Sequence, residues 1–356
     1  MSIRIRKLYL LLAVIILTLT SIFLIVLSQL HFFSRPRTTS AEDFTVTSEL
    51  RLSPTDTVGN NKAYNAIKQV SDTQGVEATW RSVLDNYGKE PTLQESAHDY
   101  AHYVGLLIYE KKGLPGMSIC TTDFAFGCYH GLLDQAFRND LSRLSQAEQA
   151  CKQVGVINSG PYNSCIHGIG HGIASYFKDK DLTGALKTCD KLPESSPQYC
   201  YDGVFMEFSR DALDSFYRPT DPLYPCDSLE GKYVFSCGRN QPSVMTSRLH
   251  LSYDDIYNAC HKAANVDLRT SCYVALGFQA VYASNEDPQK IIAMCDNYKD
   301  REFEYQCKSA AAGELVFQNF TNWQTNAPMV CNTISGKDQQ KRCNEHTLVI
   351  QKSYGR

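Results

Sequence analysis

Five of the nine histidines fall in three short segments that share one spacing. His98 and His102 are four residues apart, His167 and His171 are four apart, and His130 is followed at the same interval by Asp134. Residues four apart lie on one face of an α-helix, so each segment, if helical, aims two ligand-type side chains in one direction. Imidazole and carboxylate donors in such a set suit zinc, iron, manganese or copper, and spacing alone does not choose among them. The candidate metal set is therefore His98, His102, His130, Asp134, His167 and His171, holding a divalent transition ion. Asp202 and Glu207, on a fourth segment, are weaker additions, because charged side chains commonly cap helices or face water. Any one of these histidines alone reads as a packing residue; together they read as a site.

The elements that must position them are marked by cysteines. There are 14, none before Cys120, and no Cys-x-x-Cys spacing occurs, which leaves zinc ribbons, thioredoxin-like pairs and haem attachment unsupported. They fall into short pairs: Cys120 with Cys128, Cys151 with Cys165, Cys189 with Cys200, Cys226 with Cys237, Cys260 with Cys272, Cys295 with Cys307, and Cys331 with Cys343. The second members recur every 35 to 37 residues, a repeat signature. In the clearest unit, Ser252 to Asn285, a segment with Asp in its first turn precedes one with apolar residues at three- and four-residue intervals, which predicts two helices and a short turn. The first cysteine then ends one helix and the second opens the next. A bridge within each hairpin would contribute roughly 3 kcal/mol by constraining the unfolded chain.

The histidines stand two and six residues after the second cysteine of their units, and in the N-terminal unit Ser96 takes the cysteine's place. Glycine follows three residues after Cys128, Cys165 and Cys200, where it weakens a helix unless a neighbouring helix packs closely against it. Two irregularities are expected: Pro242 interrupts its helix, and the residues between Lys112 and Cys120 leave little room for one. The fold class is all-α, a solenoid of disulfide-stapled αα-hairpins with a period of about 36 residues. With that period and one short Cys pair per unit, the chain resembles in architecture the Sel1-like helical repeats with disulfide-bridged hairpins, and that resemblance carries no function over.

No charged residue occurs between Leu8 and Ser34, and the run from Leu8 is long enough to span a bilayer. The expected organisation is a cytoplasmic tail (1–7), a transmembrane anchor (8–30), a linker rich in Thr, Ser, Asp and Pro (31–60) and a helical-repeat domain (61–353). The cysteine density places that domain on the periplasmic or extracellular side of a single-pass membrane protein. A formal net charge of −3 with dispersed Lys and Arg offers no footprint for nucleic acid.

The stretch His98-Asp99-Tyr100-Ala101-His102 resembles in part the His-Glu-x-x-His helix of zinc peptidases, with aspartate where those enzymes place a glutamate general base. Such an activity would need His130 or His167 to complete the coordination. Gly168, Gly170 and Gly172 fall within a predicted helix, so they form no dinucleotide loop, and neither a Walker A lysine nor a Gly-x-Ser-x-Gly elbow occurs. The leading expectation is a membrane-anchored extracytoplasmic metal-binding protein, a metalloenzyme if a coordination position stays open. The alternative is a non-catalytic scaffold that binds a protein or glycan partner at the cell surface, for which the 21 tyrosines are suited.

Overall fold

A computed structural model describes residues 62–87, 94–177, 180–192, 197–211 and 217–356. The expected tail, anchor and most of the linker lie outside these residues, and no helix among the described residues is long and apolar enough to cross a membrane. The described part is all-helical, without strands. Its fifteen α-helices are α1 Lys62–Gln74, α2 Val76–Tyr87, α3 Gln94–Lys112, α4 Gly127–Phe137, α5 Leu144–Val154, α6 Gly160–Tyr176, α7 Leu182–Cys189 and α8 Pro197–Asp211. They continue as α9 Gly231–Ser247, α10 Tyr253–His261, α11 Val266–Ala283, α12 Pro288–Cys295, α13 Arg301–Phe317, α14 Trp323–Asn332 and α15 Lys337–Tyr354.

All 14 cysteines are bridged, in the seven short pairs that the spacing marks out. Local sequence sets the hairpins. Before α10, Ser252 accepts the Asp255 N–H while the Asp255 carboxylate accepts the Ser252 N–H, a reciprocal cap that starts the helix. Asn265, Asp287 and Asp300 cap α11, α12 and α13 in one direction only, each side chain accepting two N–H groups of the first turn. Where these four helices begin is therefore written in the residues next to them.

Two expectations about irregular units are resolved. Helix α9 runs unbroken through Pro242, which is buried, so packing here outweighs the lost backbone hydrogen bond. Beside it, the Gln241 amide donates to the carbonyls of Pro222 and Tyr224, pinning the loop that precedes the helix. Between Lys112 and Cys120 the chain makes only a 3-10 turn, Leu114–Ile119.

Eight of these helices pack in a row, α3 on α4, then α6, α8, α9, α11, α13 and α15, with the others outside the row on their own partners. The row does not stay open as an extended solenoid would. Helix α15 returns to α6, where Tyr354 lies against Gly160, its hydroxyl 3.4 Å from the Ser164 hydroxyl. Phe126, just ahead of α4, stacks on Phe317 and meets the Tyr354 ring edge-on.

Four neighbouring helices of that row, α3, α4, α6 and α8, touch at backbone distance because glycines line their contacts. A Cβ on Gly131 would stand 1.9 Å from the His102 carbonyl oxygen, and one on Gly203 would stand 2.0 Å from that of His167. The glycines after the cysteines thus offset their helix cost by close packing. The backbones they bring together are those that carry the histidines.

Candidate metal centre

Helix α3 carries His98 and His102, α4 carries His130 and Asp134, α6 carries His167 and His171, and α8 carries Asp202 and Glu207. The five imidazoles converge. Ring centroids lie 4.7 Å apart for His98 and His102, and 4.9 Å apart for His167 and His171. His130 sits between the pairs, 5.6 and 5.5 Å from His98 and His102 and 5.2 and 4.9 Å from His167 and His171. The cluster is largely closed off: His102, His130 and His171 are buried, while His98 and His167 keep a partly exposed edge.

Hydrogen bonds settle which ring nitrogens face inward. His98 Nδ1 lies 2.7 Å from the Phe124 carbonyl, which can only accept, so Nδ1 carries the proton and Nε2 presents its lone pair. His171 Nδ1 lies 2.6 Å from Glu207 Oε2, which gives the same outcome for its Nε2. The inward nitrogens then meet in pairs, His98 Nε2 at 3.0 Å from His102 Nε2 and His171 Nε2 at 3.1 Å from His167 Nε2. Two nitrogens bound to one ion at zinc-type distances stand about 2.9 Å apart at a right angle and about 3.3 Å apart at the tetrahedral angle. Both pairs have that separation.

The Phe124 carbonyl is held by an unusual backbone. Phe124, Ala125 and Phe126 have φ of 52°, 47° and 66°, a left-handed run that costs non-glycine residues of order 1–3 kcal/mol each. The Cys120–Cys128 bridge spans this segment, and α3 and α4 enclose it with Phe124 and Phe126 buried.

Three of the imidazoles, His98, His102 and His130, have ligating nitrogens within 4.8 Å of one another and form a group able to hold a metal ion. Both ring nitrogens of His130 are buried without a hydrogen-bond partner. Burial, followed by the neighbouring imidazoles of His171, His167, His102 and His98, pushes the His130 pKa well below the ordinary histidine value. Burial, then His171 and Arg239, does the same for His167. Neutral imidazole is the form that binds a metal.

The carboxylates play other parts. Asp134 lies outside the three-imidazole group, and its Oδ2 accepts from Arg138 at 3.1 Å. Burial and the nearby Glu207 raise its pKa, against the pull of Arg138. Asp202 accepts from Arg239 at 2.7 Å and, like Asp134, is raised first by burial. Glu207 orients His171. Sequence reasoning placed Glu207 near the site without that role, and it missed the Phe124 carbonyl, because a backbone acceptor leaves no mark in residue types. The partnership of Asp134 with Arg138 was visible as an acid and a base four residues apart on one helix.

No family model, no curated protein and no solved structure matches this chain, so the site is read from its own geometry.

Proposed function

We propose that the protein is an extracytoplasmic metal protein, tethered to a membrane by its apolar 8–30 segment, whose ion is bound by His98, His102 and His130. The observation that carries this reading is the convergence of three imidazoles from two helices, with ligating nitrogens within 4.8 Å of one another. Seven disulfides fit an oxidising compartment outside the cytoplasm. Three histidine ligands leave a further coordination position open, as in catalytic rather than structural zinc sites. His98 and His167, at the margin of the cluster, are only partly buried. An ion there would supply Lewis-acid chemistry to a bound water or substrate.

Elemental analysis of the purified chain tests the proposal. Stoichiometric zinc, iron, manganese or copper is expected, with loss on His98→Ala combined with His102→Ala. A metal-free parent, or full retention in that variant, would overturn it.

A scaffold function has its own supporting observation. A recess of about 710 Å³ lined by Tyr257, His261, Arg269, Tyr298 and Asp300 shares no residue with the imidazole cluster. Aromatic and Arg side chains of this kind suit a protein or glycan partner. Binding there would survive removal of the metal ligands.

A further inference from the structure

A single ion on His98, His102 and His130 leaves two features unaccounted for. It uses one nitrogen of His130 and abandons the other, although both are buried and unpartnered. The large majority of buried polar side chains have at least one hydrogen-bond partner, and His130, at 4 % exposure, has none on either nitrogen. The single ion also leaves out His167 and His171, whose Nε2 atoms share a 3.1 Å hydrogen bond at a separation that equally suits two ligands of one ion.

We propose that the cluster holds two ions, one on His98 and His102 and one on His167 and His171, with the His130 ring bridging them through its two nitrogens. This rests on the reading of the cluster as a metal centre and adds a second subsite to it. The two halves are built alike. Each offers an His-x-x-x-His pair from one helix, and each pair has one outer nitrogen anchored, by the Phe124 carbonyl in one half and the Glu207 carboxylate in the other. Imidazoles on one ion at zinc-type bond lengths have ring centroids about 4.5 Å apart at a right angle and about 5.6 Å apart near the trigonal angle, a range that also takes in His130 at 5.5 and 5.6 Å from the first pair. The separations within the pairs, 4.7 and 4.9 Å, fall inside that range. Across the pairs the His102 and His171 rings are 6.0 Å apart, beyond it, so one shared ion does not fit all four rings.

Coordination at both nitrogens removes the His130 ring proton, which leaves to solvent as the second ion binds. The resulting anionic ring lies in a site that Glu207 already borders through His171. The two pairs come from the first and third of three successive units, and the bridging ring comes from the unit between them.

Zinc chloride is the first probe. After loading and desalting, the full chain is expected to retain about two zinc ions, and His98→Ala/His102→Ala and His167→Ala/His171→Ala about one each. His130→Ala should weaken both sites by at least about tenfold. His→Gln versions replace any Ala variant that fails to keep its seven disulfides. Copper(II) is the second probe, because a ring shared between two copper ions couples their spins. The loaded chain should show far less electron paramagnetic resonance signal than its copper content, and His130→Gln should restore the signal of isolated ions.

One ion in the parent, lost in either double variant, would overturn the second subsite and leave the metal-centre reading standing. Two ions with full, uncoupled signal would overturn the bridge. No ion at all would overturn both readings.

Discussion

At the scale of residues, the cluster separates atoms that would bind a metal from atoms that aim them. His171 is held by Glu207 at 2.6 Å with both groups buried, so Glu207 is a positioning residue. Glu207→Gln should lower zinc affinity at the His167 and His171 pair by about 10–100-fold, as loss of such outer partners does, with the seven disulfides still formed. Competition with a chelator of known affinity measures this; an unchanged affinity would show that the carboxylate only fills space. Arg138→Ala, which leaves the Asp134 carboxylate buried without its cation, should cost stability by about 1–3 kcal/mol in a denaturant titration. His98, His102, His130, His167 and His171 were all legible from spacing. Their outer partners were not, because they come from a backbone carbonyl and from a helix one repeat further on.

At the scale of elements, glycine and capping side chains decide how closely and where the helices meet. Gly131→Ala would thrust a Cβ to 1.9 Å from the His102 carbonyl oxygen. Forcing α3 and α4 apart should destabilise by about 1–3 kcal/mol and weaken metal binding, since both helices carry ligands. Thermal melting with and without zinc reads both effects. The cap of α13 predicts a pH dependence. Burial alone would raise the Asp300 carboxyl, but the Phe303 N–H, the Tyr273 hydroxyl, the Glu302 N–H and His261 hold it below the ordinary aspartate range. A carboxylate depressed on folding stabilises fully above its unfolded pKa of about 4, and the contribution fades as pH falls through the folded value. Asp300→Asn should therefore narrow its stability gap to the parent protein below pH 4, and a gap independent of pH would contradict the assignment. The glycines were recognised in sequence as needing a close neighbour; which neighbour each one meets is visible only in the packed row.

At the scale of the whole molecule, the row of hairpins closes through its last helix. Tyr354 reaches Gly160, Ser164, Phe126 and Phe317, residues that lie far from it in sequence. Tyr354→Ala should cost about 1–3 kcal/mol, less than a fully buried aromatic, because the ring is partly exposed. Equal stability of variant and parent would mean that the return contact is incidental. Disulfide mapping by mass spectrometry should recover bonds only within the seven short pairs, and replacing Cys260 and Cys272 together by Ala should cost about 2–5 kcal/mol.

The amino-acid sequence by itself determined the local terms: helices from periodicity and caps, hairpins from paired cysteines, and a histidine register that follows those cysteines. These are short-range, and a period near 36 residues repeats them often enough to be read without a structure. Tertiary structure alone decided that α15 closes on α6, that Pro242 lies inside a continuous helix, and that His130 stands between two imidazole pairs with both nitrogens bare. Each of these depends on contacts between residues distant in the chain, for which composition and spacing hold no record. The register aligned five histidines on one face; the close packing of glycine-lined helices turned that alignment into a cluster.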